Sequence, residues 1–279
     1  MPLKAVTGQL RRHLPPLAFA AVLLGLPLSG QAGEGPPPTI AIIIDDMGVH
    51  KEPEQRLIRL DQPLTLAFLP HRRHTSRLAE YGHFRNKEIM LHAPMANMAR
   101  IGLGPGGLDV GMDEDEITGT LRKALESIPN VAGVNNHMGS LLTQQEEPME
   151  WVMDEVAQHE LYFIDSRTSA GTVAAETAES RDIPTMSRDV FLDNKRTRDA
   201  IDAQFQHLLD QAREHGTAIA IGHPYEVTVS YLEEMLPRLD EKGIAVATVS
   251  AIWRMRNNNL EMFDTAPSDH RRLVQLEDD

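Results

Sequence analysis

Short runs of apolar, often β-branched residues alternate along this chain with segments in which apolar residues recur every three or four positions. The runs predict eight strands, near 39–44, 64–69, 88–92, 131–136, 161–164, 183–186, 217–222 and 244–249. The segments between them predict helices, most clearly at 113–127, 196–214 and 228–241. Strand followed by helix, repeated, is typical of a parallel sheet, so the predicted fold class is α/β.

The predicted strands are almost entirely apolar rather than alternating between apolar and polar positions. This pattern is expected when both faces of a sheet are covered, either by helices or because the sheet closes on itself. We therefore predict an irregular (β/α) barrel of seven to eight mostly parallel strands, with an open, doubly wound sheet as the alternative. The Gly-rich segment 102–107 contains a proline and follows no strand directly, so it does not indicate a nucleotide-binding loop.

The two ends of the chain differ in composition from its middle. Lys4, Arg11 and Arg12 precede an uncharged apolar run and then small residues, a pattern that predicts an export signal over 1–32, with a retained amino-terminal anchor as the alternative. A Pro-rich linker is predicted at 33–38, one domain at 39–253, and a polar, disordered tail at 254–279. After cleavage the protein would carry no transmembrane anchor and would lie in the periplasm or elsewhere in the cell envelope.

Two features of the composition exclude whole classes of chemistry. The chain contains no cysteine, so disulfides, thiolate metal ligands and Cys nucleophiles are all excluded. The formal net charge is -14 at pH 7, which argues against a nucleic-acid partner. Any bound metal must therefore be held by His, Asp or Glu.

Five of the apolar runs end on residues that can bind a metal or transfer a proton. These endings are Asp45-Asp46, His92, Asn135-Asn136-His137, Asp165 and His223. In barrels and sheets of parallel strands, reactive side chains collect at the carboxyl ends of the strands. The recurrence therefore predicts one pocket at that edge of the sheet.

The Asp45-Asp46 pair can divide two roles between adjacent carboxylates. Neighbouring residues of a strand point to opposite faces, so the two can share a site only if the backbone turns there, which Gly48 would assist. One carboxylate would then bind a cation while the other accepts a proton from the attacking water. The alternative is that one of them caps the helix that begins near Pro53.

His92 and His137 offer nitrogen ligands at two further strand ends. One carboxylate and two imidazoles with an open position form a common catalytic zinc pattern, so we predict a divalent metal, zinc in particular, on Asp46, His92 and His137. His223 follows Gly222, which permits close approach, and could protonate a leaving group. For each histidine taken alone, a hydrogen-bonded structural role is the alternative.

Five sequence motifs together resemble those of the divergent polysaccharide deacetylases of bacterial envelopes. They are IIDDMG at 43–48, LHAPM at 91–95, NNHMGS at 135–140, FIDSRT at 163–168 and IAIGHP at 219–224. That family is similar to the NodB-type carbohydrate deacetylases, and the resemblance implies an irregular barrel. It further implies that Asp45 is the base, Asp46 and His137 are metal ligands, and His223 is the acid.

The chain departs from the NodB-type pattern at one position. The second metal-binding histidine of that pattern lies four residues after the first, where this chain has Leu141. We infer that His92 takes its place from a neighbouring strand.

The leading functional hypothesis is an exported, metal-dependent hydrolase that removes acetyl groups from N-acetylated envelope glycan or peptidoglycan fragments. Its predicted substrate-binding residues are Asn135, Asn136, Ser140, Asp165 and Arg167, which could instead orient the ligands, and Asp165 and Arg167 could form a structural ion pair. The alternative is an inactive glycan-binding or regulatory protein that assists cell-wall hydrolases. A metal phosphoesterase is a third hypothesis.

Overall fold

The structure is a computed structural model that describes residues 36–257. The predicted export signal, and the predicted tail beyond Asn257, lie outside the described residues. The domain begins at the end of the Pro-rich segment, where the Pro38 carbonyl accepts a hydrogen bond from the Ala245 N–H at 2.9 Å. None of the helices formed by residues 36–257 has the length and apolar content that crossing a bilayer requires.

One sheet runs through this part of the chain. Its strands are β1 (Thr39–Met47), β2 (Thr65–Phe68), β3 (Glu88–Met95), β4 (Val131–Met138), β5 (Tyr162–Asp165), β6 (Thr185–Ser187), β7 (Val190–Phe191), β8 (Thr217–Gly222) and β9 (Ala245–Val246). They are ordered β6-β5-β4-β3-β2-β1-β8-β7, with β9 beside the start of β1. Neighbouring strands pair in parallel, as predicted.

The two ends of the sheet meet in one short segment of chain. β6 pairs with β5, and β7 pairs with β8. Between them, the N–H of Arg188 donates to the Asp165 carbonyl and the N–H of Asp189 to the Ile219 carbonyl. The sheet is therefore a distorted barrel rather than an open sheet. β7 is the strand that the pattern did not predict.

Eight α-helices accompany the strands within the described residues: α1 (Lys51–Arg59), α2 (Thr75–Phe84), α3 (Glu114–Glu126), α4 (Glu146–Gln158), α5 (Ala174–Glu179), α6 (Arg198–His215), α7 (Glu226–Met235) and α8 (Val249–Asn257). The start of α3 has the predicted capping box between Asp113 and Glu116. The helix predicted over 228–241 is shorter than expected, since α7 gives way to 3-10 turns at Pro237, which cannot continue the α-helical hydrogen bonds.

Each central strand is buried on both faces, which explains the apolar runs. In β1, Ile40, Ile42 and Ile44 pack in the layer between sheet and helices, while Ala41 and Ile43 face the barrel interior. The interior positions of the other strands continue this small inner cluster with Met90, Ile164, Ile219 and Ile221. This inner apolar cluster supports the polar residues that follow it at the carboxyl ends of the strands.

The amino end of the barrel is closed by α8. The Glu88 carboxylate accepts hydrogen bonds from the Thr65 hydroxyl at 2.8 Å, the Tyr162 hydroxyl at 2.9 Å and the Ser250 N–H at 3.3 Å. Residues 254–257, which the sequence placed in the predicted tail, are helical. α8 extends to Asn257, and Arg256 holds it to the sheet by donating to the Thr217 hydroxyl at 2.8 Å.

Candidate active site

The turn at the end of β1 brings two adjacent carboxylates into one site. Pairing with β2 is irregular between Ile44 and Met47, and Asp46 has a φ of 59°, in the left-handed region that non-glycine residues rarely occupy. Such strain is commonly found at functional sites. Asp45 continues the inward-facing alternation of β1 and is only 3% exposed, whereas Asp46 is half-buried.

Neither carboxylate caps the following helix. The residue before α1 is His50, and Glu54 accepts hydrogen bonds from the N–H groups of Gly48, Val49 and His50. Glu54 therefore holds the turn between β1 and α1, and Asp45 and Asp46 take no part in it.

The residues predicted as metal ligands lie together. The Oδ1 atom of Asp46 is 2.9 Å from His137 Nδ1 and 3.4 Å from His92 Nε2, and the two histidine nitrogens are 3.0 Å apart. Ligand atoms about 2.0–2.1 Å from a tetrahedral ion lie roughly 3.3 Å from one another. The spacing of the three atoms therefore suits a small divalent cation.

Hydrogen bonds from Asn135 orient one of these histidines. Asn135 Nδ2 donates to Asp45 Oδ1 at 2.8 Å, which leaves its Oδ1 to accept from His92 Nδ1 at 2.7 Å. With its proton on Nδ1, His92 presents the lone pair of Nε2 to Asp46 and His137. Metal-binding histidines in general donate their other ring N–H in this way, which fixes the tautomer and the orientation of the ring.

The electrostatics of the cluster also fit a cation. Asp46 Oδ1 is buried and has no aligned hydrogen-bond donor, despite the proximity of His137. Burial alone would raise the pKa of Asp46, but the adjacent imidazoles of His137 and His92 outweigh it and hold the pKa far below its ordinary value. A carboxylate held ionised beside two imidazole nitrogens suits a metal site, because metal ligands must be deprotonated.

Asp45 differs from Asp46 in its surroundings. Burial raises the pKa of the Asp45 carboxyl, and the charges of His92 and His223 only partly offset this. Asp45 Oδ2 is 3.6 Å from His92 Nε2 and therefore borders the cation position without being part of the ligand cluster. A carboxylate with a raised pKa beside a metal site is suited to accept a proton.

His223 faces the same site from β8. Its Nδ1 lies 2.9 Å from Asp193 Oδ1, and its Nε2 lies 3.9 Å from Asp46 Oδ2. Burial lowers the pKa of His223, but Asp193 and the other carboxylates outweigh it, so the pKa is raised overall. The imidazole is therefore held with Nδ1 protonated and Nε2 towards the site, as an acid would be.

Sequence reasoning missed Asp193, the partner of His223. The carboxylate also accepts from the His223 N–H at 2.7 Å and from the Thr228 hydroxyl at 2.9 Å, and it is buried. Asp193 follows the two-residue strand β7, and the apolar stretch before it has only three residues, Val190-Phe191-Leu192. Its position after Phe191-Leu192, thirty residues before His223, was the available signal.

The predicted substrate-binding residues fall into two groups. Asn135, Asn136 and Asp165 are buried and hold other protein groups: Asn136 accepts from the Ser166 N–H, and Asp165 accepts from the Arg167 N–H and the Thr172 hydroxyl. For these three the structure favours positioning over sugar contact. Asp165 and Arg167 do not form the suggested side-chain ion pair.

Ser140 and Arg167 are more accessible. Ser140 is half-buried and accepts from the Met98 N–H at 3.1 Å, and Arg167 is exposed at the rim of the site. Both therefore remain available for contact with a substrate.

Comparison with known proteins agrees with the fold and the motifs. Residues 42–253 match the divergent polysaccharide deacetylase family. YibQ of Escherichia coli, an uncharacterised protein, is 36% identical over 223 residues, which cover 80% of this chain and 68% of YibQ. An uncharacterised protein of Haemophilus influenzae is 29% identical over 215 residues, covering 77% of this chain and 76% of that protein.

A crystal structure of an uncharacterised protein from Agrobacterium tumefaciens has the same fold, with a TM-score of 0.74 at 24% identity, covering 78% of this chain and 90% of that one. With the family match spanning most of its length, this chain belongs to the divergent polysaccharide deacetylase family. The resemblance noted in the motifs is confirmed.

Proposed function

We propose that this protein is an exported, metal-dependent hydrolase that removes acetyl groups from N-acetylated envelope glycan. The observation that carries the proposal is the convergence of Asp46, His92 and His137, with Asp45 and His223 on either side. Membership of the family supports a carbohydrate substrate. The predicted export signal supports a periplasmic or envelope location.

The ligand set would be Asp46 Oδ1, His92 Nε2 and His137 Nδ1, and zinc is the cation we favour for one carboxylate with two imidazoles. When bound, such a cation supplies Lewis acidity that polarises an amide carbonyl and lowers the pKa of water. Asn135 holds His92 in the required tautomer and at the same time fixes Asp45 through its amide N–H.

Asp45 would accept the proton of the attacking water. Its Oδ1 is held by Asn135, so Oδ2, which borders the cation position, is the atom free to act. The raised pKa of this carboxyl makes it a stronger base than a solvent-exposed aspartate.

His223 would protonate the departing amine. Asp193 accepts from Nδ1 and stabilises the charged imidazole, so that Nε2 carries the proton to be transferred. Tyr225 stacks on the His223 ring at 5.2 Å between centroids, and Phe191 contacts it edge-on at 5.5 Å. These contacts restrict the ring to one orientation.

One observation favours the alternative, an inactive glycan-binding or regulatory protein that assists cell-wall hydrolases. Leu141 occupies the place of the second histidine of the NodB-type pattern and packs against the hydrophobic core. The site therefore depends on His92 for its third ligand.

Acetate release separates the two functions. Purified protein with zinc should release acetate from acetylated chitooligosaccharides or peptidoglycan fragments, and Asp45→Asn should abolish the release while still binding zinc. Saturable binding of these glycans without acetate release, across several divalent metals, would establish the binding protein instead.

A further inference from the structure

Three loops at the rim of the site are basic, although the protein as a whole is acidic. The loops 69–74, 166–173 and 192–197 follow β2, β5 and β7 at the carboxyl end of the barrel. They carry Arg72, Arg73, Arg167, Lys195 and Arg196, and their one acid, Asp193, is buried against His223. With a formal net charge of -14, acids were abundant enough to pair with these cations.

Several arginines away from these loops are paired with carboxylates. Examples with a nitrogen to oxygen distance of 2.9 Å or less are Arg56, Arg122, Arg181, Arg198 and Arg213. Across residues 36–257, by contrast, the five rim cations form no ion pair within 4.0 Å. The rim therefore keeps its positive charge uncompensated.

Arg167 and Arg188 concentrate this charge beside the catalytic groups. Arg188 donates from Nε to the Ser166 carbonyl at 2.9 Å and from Nη2 to the Arg167 carbonyl at 3.2 Å. Among the described residues it has no carboxylate oxygen within 4.0 Å. Its guanidinium lies 5.1 Å from the centroid of Phe191, whose ring contacts His223. Burial and the charge of Arg167 lower the pKa of Arg188, and the charges of Asp45, Asp165 and Asp189 offset this only in part.

Ser166 adds an unused hydroxyl at the same place. Ser166 is 5% exposed, and its Oγ has no hydrogen-bond partner. Tyr162 and Ile164 of β5 face the barrel interior, and Ser166 is the next residue in the same alternation. In the same way, Arg188 comes two residues after Met186, which faces the interior from β6. A buried hydroxyl without a partner is costly unless a ligand completes it.

We propose, building on the deacetylase function, that Arg167, Arg188 and the Ser166 hydroxyl form an anion subsite that binds a carboxylate of the glycan substrate. Arg167 is held for this by its backbone, which has a φ of 49° and an N–H donating to Asp165 Oδ1 at 2.8 Å. Guanidinium groups suit carboxylates because they offer paired donors in one plane. The substrate class is therefore an N-acetylated glycan that also carries a carboxylate near the acetylated sugar.

The test measures binding to chelator-treated protein, so that turnover does not interfere. The probes are an N-acetylglucosamine–N-acetylmuramic acid disaccharide and an N-acetylated oligosaccharide containing a uronic acid, each as the free acid and as the methyl ester. We expect at least one acid to bind about tenfold or more tightly than its ester, because hydrogen bonds to charged groups are lost in the ester. The better probe identifies the source of the carboxylate.

Three variants test the subsite itself. Arg167→Gln and Ser166→Ala alter exposed or small side chains and should fold, and Arg188→Gln removes the central guanidinium. Each variant should reduce the ratio of the affinity for the acid to the affinity for the ester. Arg167→Gln and Arg188→Gln should bring this ratio close to one. Arg213→Gln removes one positive charge from the outer face of α6 and should retain the preference.

The outcomes distinguish the subsite from the deacetylase function. Equal binding of acid and ester, binding of neither, or a preference that survives Arg167→Gln and Arg188→Gln would overturn the subsite. Equal acetate release from acid and ester by zinc-loaded enzyme would overturn it too, while leaving the deacetylase standing. If the protein binds the acid selectively, the variants abolish this selectivity, and no acetate is released, the subsite is supported and the deacetylase function is overturned.

Discussion

The two ends of the barrel each hold a carboxylate among polar side chains, but they satisfy it differently. At the amino end, Glu88 accepts from Thr65, Tyr162 and the first turn of α8, all from within the fold. At the carboxyl end, Asp46 Oδ1 faces two imidazole nitrogens and has no hydrogen-bond donor. The first cluster is complete as it stands, whereas the second has the donor set and spacing of a cation site.

Backbone strain is distributed in the same uneven way. Asp46, His71, Met138 and Arg167 have positive φ just at or after the carboxyl ends of four strands. The remaining non-glycine residues with positive φ include Asn86, Asn130, Glu160 and Asp182, which lie after helices, where this conformation is common. The amino end is thus built for stability and the carboxyl end for placing side chains.

The largest expected effect of a substitution is at Asp45. Asp45→Asn keeps the shape of the side chain but removes the base, so we expect kcat for acetate release to fall about 10²- to 10⁴-fold. Zinc content should stay near that of the wild type, because Asp45 borders the cation site without belonging to it. Assays of acetate release and metal content on the same preparation check both points, and undiminished turnover would remove Asp45 as the base.

Asn135 should affect metal affinity through His92, in addition to its hydrogen bond to Asp45. Asn135→Ala leaves all three ligands in place but frees the tautomer of His92, and loss of such a supporting residue typically costs about 10- to 100-fold in metal affinity. Competition with a chromogenic chelator measures this. An unchanged affinity would show that His92 does not bind through Nε2.

Asp193→Asn should alter the pH dependence of turnover. Asp193 contributes to the raised pKa of His223, so its neutral replacement lowers that pKa. Activity that needs protonated His223 is lost as pH rises through this pKa. The basic limb of the kcat/KM profile should therefore move to lower pH, and a limb that stays in place would exclude His223 as the acid.

The smallest effect on turnover is expected at the opposite end of the barrel. Glu88→Gln replaces the shared acceptor of Thr65, Tyr162 and Ser250, so the free energy of unfolding should fall by about 1–3 kcal/mol. Activity per folded molecule should not change. Denaturant unfolding and an activity assay at low temperature test this, and a large loss of kcat would contradict the division of roles between the two ends.

Much of the fold could be predicted because parallel strands buried on both faces leave a clear signal. All eight predicted strands exist, and His92 and His137 lie beside Asp46 because the carboxyl ends of parallel strands share one edge. β7, and with it Asp193 and Arg188, was not predicted, because only three apolar residues precede Asp193. Their positions depend on how residues 185–191 join β5 to β8, which is a property of barrel closure and not of local pattern.

The roles of Asn135 and Asp165 could not be decided from sequence either. Both follow or end apolar runs, as the metal ligands do, but only the structure shows that their side chains are buried and engaged with other protein groups. The positions of these residues at strand ends therefore predicted the pocket. Their burial and hydrogen bonds, which only the structure shows, distinguish their roles within it.

The central claim is that Asp46, His92 and His137 bind one cation together, and zinc titration of metal-free protein by calorimetry tests it most directly. We predict one zinc per wild-type chain, lost in His92→Ala, His137→Ala and Asp46→Ala but retained in His159→Ala, whose imidazole lies on the outer face beside Glu155. Equal zinc binding by the wild type and the three ligand variants would contradict the claim.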